Sequence, residues 1–254
     1  MTDERVTFSN ARGLTLVGDL RTGGPDSIVI AHGFTGDRHE EGRLDRAAEA
    51  LHADGFTTLN FDFAGSGESD DVPITLSGEA EDLRAALGFA RERGAKRVGI
   101  LAFSLGALVT AHVCATEPVD ATVFWSPVSA PMPDPTVWYS REQLEELERT
   151  HFITWGKDTG PRRQLVIDGR HLDERRSFDR AAVIGAIKIP VLVLHGMRDE
   201  IVPCDDSRTL MPLLPNGSRL KVVRGIGHVY DKRLPTFLRH TRRWFRAWQD
   251  AGRR

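Results

Sequence analysis

Short apolar runs rich in β-branched residues alternate with stretches of helical spacing along almost the whole chain. That alternation limits the fold more than any other feature. Strands that follow one another through a helix run parallel, and helices then cover both faces of their sheet. SIVIAHG (27–33), FTTLNFDF (56–63), RVGILAF (97–103), ATVFWSP (121–127), VLVLHG (191–196) and RLKVVRG (219–225) read as such strands. Between them, residues 41–54 place Leu44, Ala47, Ala48 and Leu51 on one helical face. Leu76 to Arg93 reads as a helix whose early acids, Glu79, Glu81 and Asp82, suit its positive end. SLGALVTAHVCA and a C-terminal stretch from Leu234 to about Gln249 read as further helices. The opening VTFSNARGLTLVGDL predicts a hairpin at the sheet edge, turning at Asn10–Gly13. The expected fold class is α/β, with a mostly parallel central sheet and helices on both faces.

One segment breaks the rhythm. About sixty residues lie between Pro127 and Pro190, where βα connections ordinarily take about 2–6. The segment holds a helical piece at Arg141–Arg149, an Asp168-Gly169 turn read as a small hairpin within QLVIDGRHL, and the aromatics Trp138, Tyr139, Phe152, Trp155 and Phe178. We expect residues 1–127 and 189–254 to form one core and 128–188 an inserted lid. Its aromatics suit either a substrate pocket, with Trp138, Tyr139, Phe152 and Trp155 as the binding residues, or the core of the lid itself. Its exposed face would admit a homodimer, which nothing in the sequence requires.

Composition excludes several classes. A net charge of −2 gives no general attraction to nucleic acid or to an anionic membrane. The arginines of LPTFLRHTRRWFRAWQ read as the solvated side of an amphipathic helix. No apolar run approaches the ~18–20 residues that span a bilayer, and MTDERVTFSN lacks the pattern of a signal peptide. Two distant cysteines fit a reducing, cytoplasmic setting. AGSGES (64–69) lacks the Gly-Lys-Ser/Thr ending of a phosphate loop, and no histidine pair has ligand spacing. No metal and no cofactor are expected.

Ser104 sits where an apolar strand gives way to a helix, within Ala102-Phe103-Ser104-Leu105-Gly106. Small residues two positions to either side let strand and helix backbones nearly touch, and such a turn exposes its central side chain. A serine capping the following helix is the alternative reading. A serine nucleophile needs a base and a group to orient that base, and on an α/β sheet the order is serine, acid, histidine. Asp199 follows the strand VLVLHG, with Glu200 beside it as a rival acid, and His228 follows RLKVVRG. All three therefore reach the carboxyl edge of one sheet, where α/β folds bind ligands. Backbone donors for an oxyanion are expected at Leu105 and, in the turn His32-Gly33-Phe34-Thr35-Gly36, at Phe34. His32 reads as a structural residue shaping that turn.

The motifs HGFTG (32–36), FDFAGSGES (61–69), AFSLG (102–106), HGMRDEIVP (195–203) and GIGHVY (225–230) resemble the α/β-hydrolase superfamily over nearly the whole chain. HGFTG, the short lid and the chain length look most like cinnamoyl/feruloyl esterases and related small bacterial carboxylesterases. The resemblance implies an α/β-hydrolase fold with Ser104 as nucleophile, Asp199 as acid, His228 as base, and oxyanion donors at Phe34 and Leu105. Ala102 departs from the family's usual glycine and should reshape the elbow slightly. A serine at the elbow argues against the dehalogenase, epoxide hydrolase and dienelactone hydrolase branches. The expected activity is cleavage of small-molecule carboxylic esters through an acyl-enzyme. A thioesterase or an acyl-aminopeptidase or amidase would use the same residues, and a catalytically silent binding protein would share the fold.

Overall fold

The computed structural model describes residues 4–132, 134–230 and 233–252. Strands β1 (Glu4–Ser9) and β2 (Thr15–Arg21) form the edge hairpin, and β2 pairs antiparallel with β4 (Thr57–Phe61). From β4 the sheet continues through β3 (Asp26–Ala31), β5 (Arg97–Phe103), β6 (Ala121–Trp125), β9 (Val191–Gly196) and β10 (Arg219–Val223), every pair parallel. The two remaining strands, β7 (Phe152–Gly156) and β8 (Gln164–Asp168), form a separate antiparallel pair within 128–188.

Strand alternation divides the core in two. Ile28 and Ile30 of β3 and Leu101 and Phe103 of β5 point to one face, beneath α1 (Arg43–His52) and α8 (Leu234–Ala251). Val29, Ala31, Ile100 and Ala102 point to the other, beneath α2 (Leu76–Glu92) and α3 (Leu105–Cys114). Residues two apart share a face, so a run apolar on both sides marks a strand covered twice. The indole N–H of Trp125 reaches through the first face to the Thr241 hydroxyl of α8 at 2.9 Å. Arg242 and Arg246 of the same helix both pair with the Asp54 carboxylate. Among the described residues no helix is long and apolar enough to cross a membrane.

The strand order sets the position of a site. After β3 the chain crosses through α1 to β4 on one side, and after β5 it crosses through α3 to β6 on the other. The loops leaving β3 and β5 therefore diverge and open a crevice at their carboxyl ends. Phe34 and Ser104 stand on those two loops.

Segment 128–188 spans that edge. It contains α4 (Arg141–Thr150), the β7–β8 pair, α5 (Gly169–Ser177) and α6 (Arg180–Gly185). Ser140 caps α4 through a reciprocal bond with Gln143. Asp168-Gly169 is not a hairpin turn. The hairpin closes through residues 157–163, and the Asp168 carboxylate instead caps α5 by accepting the Arg170 N–H at 2.9 Å. Asp-Gly serves a turn and a helix start equally well, because both use a short acceptor bonded to a nearby N–H. Ile74 pairs with β8 and ties the hairpin to the core.

Candidate active site

A single residue joins β5 to α3. Ser104 adopts φ 51 and ψ −116, a conformation costly for any residue with a Cβ. Its N–H donates to Trp125 at 2.9 Å, and its carbonyl accepts from Val128 at 3.0 Å and Ala107 at 3.2 Å, so the surrounding chain holds the strain in place. A Cβ on Gly106 would lie 2.5 Å from the His32 carbonyl oxygen and 2.8 Å from that of Ala31, which excludes any larger residue there. Ala102 stands in register with Ala31 on the neighbouring strand, and both are fully buried. The Ala102 methyl thus lies in register with another small side chain. The Ser104 side chain makes no capping bond to α3.

It turns instead to His228, whose Nε2 lies 3.1 Å from Ser104 Oγ. The His228 Nδ1 lies 2.8 Å from Asp199 Oδ2. Burial alone would raise the Asp199 carboxyl, but bonds from His195, His228 and the Val202 N–H outweigh it and hold the group well below the usual carboxylate range. An ionised carboxylate beside Nδ1 places the imidazole proton there and leaves Nε2 bare toward the serine. Glu200, the rival acid, is exposed and lies against Gly227. The two loops are locked together, since a Cβ on Gly196 would meet the Gly227 carbonyl oxygen at 2.5 Å.

After β3 the chain turns with the Gly36 N–H donating to the Gly33 carbonyl at 3.1 Å and Thr35 at φ 56. The Phe34 N–H has no partner among the described residues, and the Leu105 N–H heads α3 ahead of the intrahelical ladder. Both are thus available to an incoming oxygen. His32 is buried with Nε2 accepting from the Phe63 N–H at 3.2 Å and Nδ1 donating to the Gly33 carbonyl at 2.8 Å. Burial lowers its basicity further, so it pins the turn as a neutral ring.

A cavity of about 390 Å³ opens over Ser104 and His228. Trp138, Tyr139 and Trp155 line it beside Phe34, with Trp155 edge-on to Phe34 at 5.7 Å and to Tyr139 at 6.0 Å. Phe152 is not among its lining residues: it stands on β7, 38% exposed. Tyr139 also belongs to a small cluster with Met132, Ile153, Ile167 and Leu172, so the aromatics of this segment serve both as cavity wall and as local core. Among the described residues no three His, Cys, Asp or Glu side chains are grouped to share a metal ion.

The family model described as "Alpha/beta hydrolase family" matches residues 28–253. The chain belongs to the alpha/beta hydrolase family. Two proteins of Mycobacterium tuberculosis, from strains CDC 1551 / Oshkosh and ATCC 25618 / H37Rv and both named as uncharacterized, are 31% identical over 209 residues. That match takes in 81% of this chain but 64% of the relatives' length. Among solved structures, Est1E of Butyrivibrio proteoclasticus with bound ferulic acid superposes with a TM-score of 0.78 at 20% identity, over 96% of this chain and 99% of that one. An esterase of Thermogutta terrifontis gives 0.74 at 19% identity, over 96% and 99%. The Pyrococcus furiosus esterase Pf2001 gives 0.72 at 19% identity, over 97% and 92%. These likenesses are of fold.

Four residues of the candidate site escape a reading of motifs. His195, the next-to-last residue of β9, is fully buried, its Nε2 donating to the Val202 carbonyl at 2.9 Å and lying 3.1 Å from Asp199 Oδ2, its Nδ1 accepting from Ser207 at 2.6 Å. It braces the same carboxylate oxygen that His228 approaches. Its place in HGMRD, four residues before Asp199, was the available signal. Glu40 accepts the Gly33 N–H at 3.0 Å and so supports the turn that carries Phe34. Burial, and secondarily the charge of Asp37, pushes its carboxyl up to about 7. His171 and Arg175 of α5 complete the cavity wall.

Proposed function

We propose that this protein is a serine carboxylesterase that works through an acyl-enzyme. The observation that carries the reading is the hydrogen-bonded line from Asp199 to His228 to Ser104, at 2.8 and 3.1 Å, beneath a cavity with aromatic walls. Ser104 Oγ attacks the ester carbonyl carbon as His228 Nε2 takes its proton. The negative charge moves to the carbonyl oxygen, toward the Phe34 and Leu105 N–H groups, each donor of this kind being worth about 10²–10³ in rate. His228 then passes its proton to the departing alcohol. Water repeats the sequence on the acyl-serine, giving up a proton to His228 and releasing the acid. Asp199, acting as orienting carboxylate, stabilises the imidazolium in both halves. Est1E holds ferulic acid in its own structure, and the rings around this cavity support extending a small to medium, aromatic-tolerant acyl preference to this chain.

The test is hydrolysis of p-nitrophenyl esters from acetate to decanoate, and of methyl ferulate, by wild type and Ser104→Ala. Turnover by wild type with a loss on the order of 10⁶ in kcat for the variant is the expected result. Wild-type protein inert toward every ester overturns the reading. Thioester and amide substrates would then separate a sister hydrolase from a binding protein.

A further inference from the structure

Helix α5 reads GRHLDERRS, with Leu172 its only aliphatic residue, yet it buries His171, Leu172 and Arg175. His171 and Arg175 stand four residues apart, hence on one helical face, and both line the cavity above Ser104. Arg175 is 8% exposed and His171 1%. Among the described residues neither side chain has a hydrogen-bond partner, and Arg175 Nε and His171 Nδ1 are enclosed with none. A guanidinium withdrawn from water without a counter-ion is costly, which is why buried arginines are as a rule paired.

The acids within electrostatic reach do not remedy this. Tyr139, Glu79 and Asp206 are felt by Arg175, but no ion pair at 4.0 Å or less joins it to an acid among the described residues. Glu79 is itself pushed up to about 8, by burial first and the Asp82 charge second, which weakens it as a counter-charge at pH 7. His171 is also uncharged, because burial and the adjacent Arg175 push its basicity down to about 3. The wall of the cavity therefore holds a cation with no acid paired to it, next to one neutral ring nitrogen. His171 stacks on Phe34 at 5.0 Å, which joins this polar pair to the turn expected to receive the oxyanion.

We propose that Arg175, with His171 beside it, binds a carboxylate carried by the substrate, so that the preferred ester has a second, free carboxylate on its acid or its alcohol part. The inference rests on the esterase reading above and names the class of ester. A guanidinium presents paired donors in the geometry of a carboxylate, and a dry cavity strengthens the contact. A substrate anion would give that cation the paired partner the protein does not supply.

The experiment compares shape-matched esters. Monomethyl succinate, glutarate and adipate test an acid-side carboxylate against methyl 4-methylpentanoate, 5-methylhexanoate and 6-methylheptanoate, whose isopropyl ends copy its outline without charge. 4-Acetoxybenzoate against 4-isopropylphenyl acetate tests the alcohol side. Acid release is followed in a pH-stat for wild type, Arg175→Met and Arg175→Lys. In at least one series the charged-to-neutral ratio of kcat/KM should be high in wild type. It should fall roughly 30-fold or more in Arg175→Met, carried by KM, and recover in part in Arg175→Lys. A role confined to packing would depress both esters together, and an unmoved ratio overturns the proposal. A wild type that disfavours every charged ester also overturns it. Melting temperatures with and without glutarate read the site without turnover. A glutarate-induced rise that Arg175→Met abolishes supports the anion site even if the esterase reading fails, and its absence in wild type counts against the site.

Discussion

Glutamine in place of Glu40 isolates one buried charge. The Glu40 Oε1 accepts the Gly33 N–H at 3.0 Å, and a glutamine Oε1 can accept the same bond. What changes is the charge. The carboxyl is pushed from 4.5 up to about 7, by burial first, with Asp37 adding to the rise while the Gly33 N–H, Arg43 and Lys157 oppose it. Below about pH 4.5 both folded and unfolded chains carry the proton, and the group costs nothing. Between 4.5 and 7 the unfolded chain ionises while the folded one retains its proton, so stability declines as pH rises and the loss is complete above the folded value. The displacement amounts to up to about 3 kcal/mol. Glu40→Gln cannot ionise, so its stability should match wild type near pH 4.5 and exceed it by up to about 3 kcal/mol at pH 8. At roughly 2–4 °C per kcal/mol for a chain of this size, the melting-temperature gap should open to about 6–12 °C. Thermal and urea melts at pH 5, 6, 7 and 8 measure it, and the difference between the two proteins cancels every other titration. A gap that stays constant with pH, or a variant less stable at pH 8, refutes the argument.

Two further substitutions test the geometry around Ser104. Asp199→Asn removes the charge that fixes the proton on His228 Nδ1, and kcat on the best ester should fall by about 10⁴, with slower labelling of Ser104 by a fluorophosphonate as the independent readout. Gly106→Ala places a methyl 2.5 Å from the His32 carbonyl oxygen, a backbone atom that cannot swing aside. It should destabilise the protein by about 1–3 kcal/mol in urea melts and lower kcat with it, because the elbow must open to admit the group.

The parts of this molecule that were legible in its sequence are those set by local necessity. A strand buried on both faces must be apolar at every position, so SIVIAHG and RVGILAF announced themselves. The reversal of strand direction at Ser104 demands small neighbours, and Ala102 and Gly106 supplied them. Asp199 and His228 could be located because each follows a strand, and strand ends converge whatever the intervening chain does. The helix at Arg141–Arg149 was likewise visible, since it continues to Thr150 under its own Ser140–Gln143 cap.

Segment 128–188 obeys a different logic, and there local reading fell short. Helix α5 has no apolar stripe: it turns a histidine and an arginine to the cavity wall, and no period of hydrophobicity marks such a face. Phe152 looks like its neighbours Trp138, Tyr139 and Trp155, yet it alone turns to solvent. Its side is decided by the register Phe152 to Asp168 and by the docking of β8 on Ile74, both contacts between distant residues. Glu40 illustrates the same limit at the edge of the cavity, where the three successive left-handed residues Glu40, Glu41 and Gly42 hold it against Gly33. Glutamate and arginine are read as surface residues because solvation normally decides their place. Where the backbone is over-determined by its surroundings, they can be held against a cavity wall instead, and no hydrophobic pattern in the sequence marks them.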